Sequence, residues 1–311
     1  MGETLSLPYN NPMNASIDYD TIVAMCQETV AAAVAIEIVE QTGSTNVDLL
    51  ARVAGQPDAH GPILLIALQQ TAGRGRAGRT WHSDGCGLTF SLAWPMGQPL
   101  SALSGLPLAI GVATAEVLAA RGIQVALKWP NDVLHNGRKV AGMLIETVGG
   151  SSLLRDDVWV VIGIGINMAS QDALSEAVAL GDNPGKSHDL SKTGAALPPS
   201  DRNVFVADLL VALTKALRTF QQYRFAAFIV RWNALHAHAG KAVDILNGSQ
   251  VVHSGYAQGV DAIGRLLLET KNGRVAVVAG DVSLRAVALQ PAMACHSVFR
   301  GLSGGDDAVA G

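Results

Sequence analysis

The sequence predicts an α+β protein of two unequal domains, and three observations point to it. Stretches with helical spacing alternate with apolar, strand-like runs as far as about residue 239. From Lys241 onward the texture changes to short alternating segments divided by Asn247-Gly248, Ile263-Gly264 and Asn272-Gly273, the pattern of a small antiparallel barrel. The chain has 311 residues, 49% of them apolar, which is enough for two cores. The expected organisation is a leader and helix over 1–33, a mixed domain over 34–239, a small β domain over 240–290 and a disordered tail over 291–311.

Residues 1–20 mix Asn, Pro, Ser and Gly and read as a loose leader, with a helix expected between Asp18 and Ala33. Val34–Val39 alternates and predicts a strand. It ends at Ser44-Thr45-Asn46, favoured N-cap types, after which Val47, Leu50, Ala51 and Ala54 follow at helical spacing. Pro62–Gln69 predicts a buried strand, and Leu88–Trp94 another, stopped by Pro95. Ala109, Ile110, Ala113, Val117 and Ala120 share one face of a helix from about Leu106 to Arg121, with Gly122 as its stop. Val125–Asp132 reads as a strand breaking at Pro130 into polar groups. Asn136-Gly137 is a hairpin turn and Arg138–Glu146 the returning strand, which puts Asp132 and Lys139 near one end of a ribbon.

Val158–Asn167 is apolar on both faces and so predicts a central strand. Its Gly163 and Gly165 imply a close approach to the backbone, by a ligand or by a neighbouring helix. Residues 170–200 read as a polar surface loop. Asp201 can cap a helix carrying Val204, Leu209, Leu213, Leu217 and Phe220, and a second helix is expected near Phe225–His236. Five strands follow, at 241–246, 250–256, 264–270, 274–279 and 282–288.

A net charge of −4 argues against a dedicated nucleic-acid binder. The longest apolar runs fall short of the roughly 18 residues that span a bilayer. No Lys or Arg precedes Arg52, so a secretory signal is not expected, and the chain is predicted to be cytoplasmic. Cys26, Cys86 and Cys295 are odd in number and lack C-x-x-C spacing, which supports neither disulfides nor a zinc site. His236-x-His238 alone is too little for a metal centre.

The densest chemical signal is Gly73-Arg74-Gly75-Arg76-Ala77-Gly78-Arg79, three arginines and three glycines in seven residues after a buried strand. Glycines let amides approach a ligand, and arginine forks suit phosphate or carboxylate oxygens. Spacing alone leaves open an anion clamp or a solvated basic loop.

Taken with Lys128-Trp129-Pro130-Asn131-Asp132, Lys139-Val140-Ala141-Gly142 and Gly163-Ile164-Gly165-Ile166-Asn167, in this order and spacing, the loop resembles the biotin–protein ligases. The resemblance runs over about residues 35–288 and takes in Gly280-Asp281-Val282-Ser283-Leu284-Arg285. It implies a class II synthetase-like catalytic domain with a mixed sheet and an SH3-like C-terminal domain. It also implies a two-step reaction, in which biotin and ATP give biotinyl-AMP and a carrier-domain lysine then takes the biotinyl group. Holding two anions side by side calls for fixed positive charge and for Mg²⁺, carried by ATP.

By the same resemblance, Ser44, Thr45, Asn46 and Gln70 fall where biotin's head group is read, although Ser44–Asn46 also serve as a helix cap. Arg74, Gly75 and Arg76 cover the acyl chain and acyl phosphate, with Lys139 as the catalytic lysine and Gly142 and Gly165 beside biotin. Asp132 would orient or deprotonate the acceptor lysine, or simply hold the turn. Gly73, Gly78, Asn131, Trp81 and Asn167 fall on the nucleotide side, and Arg285 meets the phosphates from the second domain. Trp129 and Pro130 read as shape rather than chemistry. The partner implied is a biotin carboxyl carrier domain, and a homodimer through a sheet edge is compatible. Some members carry an N-terminal DNA-binding winged helix. Here the residues before the first matching strand contain no Lys or Arg, so no DNA binding is expected.

The nearest alternative is a lipoate- or octanoate-transferring relative, which should lack the combined loop and Lys128–Asp132 motifs. From another class, a non-catalytic small-molecule sensor or RNA-binding module would use the basic loop without Lys139 chemistry.

Overall fold

Strands that are apolar on both faces need cover on both sides, and the fold supplies it. A computed structural model describes residues 17–55, 61–81, 87–149, 158–168, 202–280 and 282–287. Seven strands form one mixed sheet: β1 (Ala35–Thr42), β2 (Ile63–Gln70), β3 (Leu88–Pro95), β4 (Ala126–Lys128), β5 (Asp132–His135), β6 (Arg138–Gly149) and β7 (Val158–Ile166). Their order is β1-β2-β3-β7-β6-β5-β4, parallel only between β1 and β2. β7 takes the central place expected of it.

Side chains two apart share a face of a strand. Leu64, Ile66, Phe90, Leu92, Ile162 and Ile164 share the larger core with helices α3 (Leu106–Ala119) and α4 (Arg202–Tyr223). On the other face Ile63, Leu65, Ala93, Trp159 and Val161 pack against Leu49 and Val53 of α2 (Thr45–Gly55). Further along that second face the same alternation presents Thr89 and Ser91 on β3, Gly163 and Gly165 on β7, and Glu146 and Gly142 on β6. The sheet therefore turns from apolar to polar beyond α2, and the site is built there.

The stretch Leu100–Ala119 has the length and apolarity of a membrane span, but 67% of it is buried inside the protein. It is a core helix, covered by the sheet and by α4.

Three elements differ from expectation. Helix α1 spans only Tyr19–Cys26, because the Thr29 amide and hydroxyl both donate to the Cys26 carbonyl, at 3.0 and 2.8 Å, and close the chain into a turn. Val125–Asp132 breaks around Pro130 as expected, but the break is a full reversal into a further strand. β4 stops at Lys128 and the chain reverses through Trp129–Asn131, so that Lys128 pairs with Asp132 of β5. Asn131 fixes this turn onto β6, its Nδ2 donating to the Met143 carbonyl at 2.7 Å while its own carbonyl accepts from the Met143 amide at 3.0 Å. The second C-terminal helix is a 3-10 turn, Phe225–Phe228, running into the short α5 (Ile229–Ala234). Residues 1–16, the expected surface loop at 170–200, the Asp201 cap and the tail from 291 lie outside the described residues.

At Asn136-Gly137 both residues have positive φ, 50° and 77°, the primed turn that suits a two-residue hairpin. The C-terminal strands β8 (Ala242–Asn247), β9 (Gln250–Val260), β10 (Leu266–Thr270), β11 (Gly273–Val277) and β12 (Val282–Ala286) form one antiparallel sheet in the order β11-β10-β9-β8-β12. It is tied to the first sheet where the buried Trp129 donates from Nε1 to the Gly264 carbonyl at 3.2 Å.

Candidate active site

Ser44, Thr45 and Asn46 open α2 directly over the polar end of the sheet, and all three are buried. Buried polar groups need partners. The Thr45 amide and hydroxyl donate to Gln70 Oε1 at 2.8 and 3.0 Å, and the hydroxyl lies 2.7 Å from Ser91 Oγ. Ser91 donates to Asn46 Oδ1 at 2.6 Å, and Asn46 Nδ2 donates to Glu146 Oε2 at 2.9 Å. Glu146 in turn pairs with Arg74 of the glycine-arginine loop at 3.1 Å. One chain of hydrogen bonds thus runs from β2 through α2 and β3 to β6 and the loop.

The motif glycines mark where side chains cross the sheet. A Cβ at Gly163 would sit 2.4 Å from Asn46 Oδ1, and one at Gly165 would sit 2.1 Å from the Trp81 ring. At Gly163 the close approach comes from Asn46 in the first turn of the neighbouring helix α2, and at Gly165 from Trp81 at the end of the glycine-arginine loop. Gly142 does the same for Lys139, whose Cε and Nζ would both lie 2.7 Å from an added Cβ. The Trp81 indole N–H is sealed and has no acceptor within the described protein.

The loop is a folded hairpin. The Trp81 amide donates to the Gly73 carbonyl at 2.9 Å, the Gly75 amide to Arg79 at 2.7 Å, and Arg74 bridges Thr80. Ala77 and Gly78 turn the tip with φ of 52° and 70°. Arg76 crosses the cavity to donate to Asn131 Oδ1 at 3.0 Å and to the Gly280 carbonyl of the C-terminal domain.

Below the loop, Lys139 Nζ lies 2.6 Å from Asp132 Oδ1, with a third of the Lys139 side chain exposed. Nζ also stands 5.8 Å from the Trp81 ring centroid. These groups line one cavity of about 550 Å³. Its lining carries Arg74, Arg76, Arg79, Lys128, Arg138, Lys139 and Arg285 against one carboxylate, Asp132. In a chain of net charge −4, so concentrated a positive field fits an anionic ligand of more than one charge. Burial pushes the Lys128 pKa down, opposed by Asp132 and reinforced by Lys139, Arg79 and Arg285.

Of the residues expected from sequence, Ser44, Thr45, Asn46, Gln70, Arg74, Gly75, Arg76, Trp81, Asn131, Asp132, Lys139, Gly142, Gly165 and Arg285 line this cavity. Gly73, Gly78 and Asn167 do not. Gly73 lets the loop strands approach, since a Cβ there would meet the Trp81 carbonyl at 2.4 Å. Gly78 supplies the tip conformation. Asn167 donates from its side chain to the Lys139 carbonyl at 3.3 Å and from its amide to Val140 at 2.8 Å, which fixes the strand that carries Lys139. Sequence reasoning gave no site role to Ser91, Glu146, Arg79, Lys128 or His238, and left that of Gly163 open. Thr89 and Ser91, alternating within the apolar Leu88–Ala93, were a legible signal of a polar stripe.

No group of three metal-ligating side chains occurs among the described residues, and the lining carboxylate is engaged by Lys139. Among the described residues, the cavity lining offers no carboxylate free of a cation for a protein-built Mg²⁺ site.

Residues 38–167 match the Biotin/lipoate A/B protein ligase family, and residues 238–285 match the Biotin protein ligase C terminal domain. The chain is 36% identical over 245 residues to the Bifunctional ligase/repressor BirA of Escherichia coli, covering 78% of this chain and 72% of that protein. It is 36% identical over 259 residues to the Biotin--[acetyl-CoA-carboxylase] ligase of Mycobacterium tuberculosis, covering 79% of this chain and 88% of the relative. The biotin protein ligase of Aquifex aeolicus in complex with biotin and ATP superposes with a TM-score of 0.63 at 26% identity, over 81% of this chain and 99% of the other.

Proposed function

The chain belongs to the Biotin/lipoate A/B protein ligase family, and we propose that it activates biotin with ATP and transfers the biotinyl group to a lysine of a biotin carboxyl carrier domain. One observation carries the assignment of roles. The amide and hydroxyl network of Thr45, Asn46 and Gln70 and the cationic cluster around Arg76, Lys128 and Arg285 meet in a single cavity, with Lys139 and Asp132 among its lining. The first end suits a neutral head group that both donates and accepts hydrogen bonds, and the second a polyphosphate.

In the first step a biotin carboxylate oxygen attacks the α-phosphorus of ATP, the bond to the bridging oxygen breaks, and pyrophosphate leaves. Lys139 is placed to neutralise charge that grows on the phosphoryl oxygens. Arg76 lies over the same space and shields the mixed anhydride from water. In the second step the acceptor amine attacks the acyl carbon, AMP departs with the electron pair, and Asp132 is the carboxylate positioned to take the amine's proton. Mg²⁺ enters with the nucleotide phosphates.

As finer points of the same proposal, the setting is cytoplasmic and a second copy would pair along β1, which stands at an edge of the large sheet. DNA binding is not part of the proposal, since the residues before β1 hold no Lys or Arg to meet a phosphate backbone. Sedimentation with biotin and ATP tests the pairing, and a low-salt gel shift on operator-like DNA tests the exclusion of DNA; tight specific binding would remove it.

The deciding assay for activity is biotin-dependent exchange of labelled pyrophosphate into ATP. Exchange with biotin is expected. Exchange with lipoate instead would move the substrate assignment to the lipoate branch, and exchange with neither would favour a sensor.

A further inference from the structure

The connection between the two sheets is more than a linker. The Leu127 amide donates to the Leu235 carbonyl at 2.7 Å, and the Ala237 amide donates to the Leu127 carbonyl at 2.9 Å. Residues 235–237 therefore lie along β4 as a short parallel addition to the sheet edge, bridging at Leu127 and His236. Lys128 is the next residue of β4, so this pairing carries His238 to the side of Lys128 at the cationic end of the cavity.

His238 is 9% exposed and lines that cavity. Buried polar atoms without a partner are uncommon and call for an explanation. Both ring nitrogens of His236, its neighbour at 6.3 Å between centroids, are sealed and unpartnered, but only Nδ1 of His238 is. Nε2 is the His238 nitrogen left to serve the cavity.

We infer that His238 is a further ligand of the nucleotide, its ring donating from Nε2 to a phosphoryl oxygen of the polyphosphate beside Lys128 and Arg285. This rests on the ATP-dependent function proposed above. Phosphate is favoured over the base because the cationic side chains grouped around Lys128, Arg79 and Arg285 among them, attract anions. A neutral imidazole suits the position. It supplies an N–H without adding another desolvated cation to a cluster in which Lys128 is already driven toward its neutral form. Burial, reinforced by Lys128 and Lys241, lowers the His238 pKa to about 4, so the ring is neutral near pH 7.

Binding of ATP alone and of inorganic pyrophosphate alone is measured by calorimetry, and KM for ATP and for biotin by pyrophosphate exchange. His238→Ala should weaken ATP and pyrophosphate binding and raise the ATP KM by about tenfold, the scale of one lost hydrogen bond, with the biotin KM changed less than twofold. His238→Gln, which keeps an N–H donor, should recover most of the loss. His236→Ala, which disturbs the same buried pair away from the cavity lining, should leave the ATP KM unchanged. An unchanged ATP KM in folded His238→Ala, or the same loss in His236→Ala, overturns the inference. A wild-type protein that binds ATP and pyrophosphate but does not exchange refutes the biotin-dependent function while leaving the His238 comparison decisive.

Discussion

Lys139 reaches Asp132 by passing over Gly142. In the β5–β6 ladder Asp132 stands opposite Gly142, and Lys139 pairs with Leu134 across a shift in register. The 2.6 Å contact between Lys139 and Asp132 exists because the residue facing Asp132 has no side chain. Lys139→Ala is therefore expected to lower the rate of biotin adenylation by about 100-fold or more, the usual scale for removing a charge-stabilising donor. Gly142→Ala should reproduce much of that loss by displacing the lysine. Single-turnover formation of biotinyl-AMP measures both, and near-normal turnover in Lys139→Ala would take that residue out of the mechanism.

The two β7 glycines should separate the substrates. Gly163→Ala forces Asn46 away from its contacts with Ser91 and Glu146, and Gly165→Ala displaces the Trp81 ring. Each overpacks a fitted surface at a cost of about 1–3 kcal/mol. The expected outcome is a biotin KM raised about tenfold by Gly163→Ala, and a larger effect on the ATP KM from Gly165→Ala. Steady-state exchange kinetics on both variants check this, and an identical pattern in the two would contradict the division of the cavity.

Much of this is legible in the sequence. Asn136-Gly137 specifies its own turn, and the glycine-arginine loop follows an unbroken apolar strand, so local chemistry was enough. What sequence left open was which body approaches Gly163 and Gly165. Asn46 and Trp81 are separated from them by about a hundred residues, and only the β3-β7-β6 order brings them together. At Val125–Asp132 the break at Pro130 was legible, but the reversal that makes Asp132 the start of another strand was not, because the turn is held by the distant Met143. His238 and Lys128 became neighbours through the pairing of residues 235–237 with β4, an edge contact with no periodicity to announce it.

Arg76 ties the loop to both Asn131 and the Gly280 carbonyl, so it couples loop position to the C-terminal domain. Arg76→Gly removes both ties and frees the tip. Biotinyl-AMP should then leave the protein faster, by about tenfold or more, and label nearby lysines without regard to the carrier domain. Stopped-flow adenylate release and labelling of a bystander protein report on this. Unchanged release would show that the arginine does not retain the intermediate.

The buried histidine pair should make stability depend on pH. Burial lowers His236, with His238 and Lys241 adding to the effect, and His238, with Lys128 and Lys241 adding, each to about 4 from an ordinary 6.5. Between those values the unfolded chain holds more protons than the folded one, so the stabilisation is complete above pH 6.5 and is lost progressively as pH falls toward 4. At ~1.36 kcal/mol per pKa unit, one such ring corresponds to about 3 kcal/mol across that window. His236→Leu removes one titrating ring and its unpartnered nitrogens while keeping an apolar group beside Trp232. Urea unfolding at pH 7 and pH 5 should show a large loss of stability in the wild-type protein and a smaller one in the variant. Equal losses would mean that His236 is already protonated in the folded protein at pH 5, and that the Trp232 cluster opens to water there.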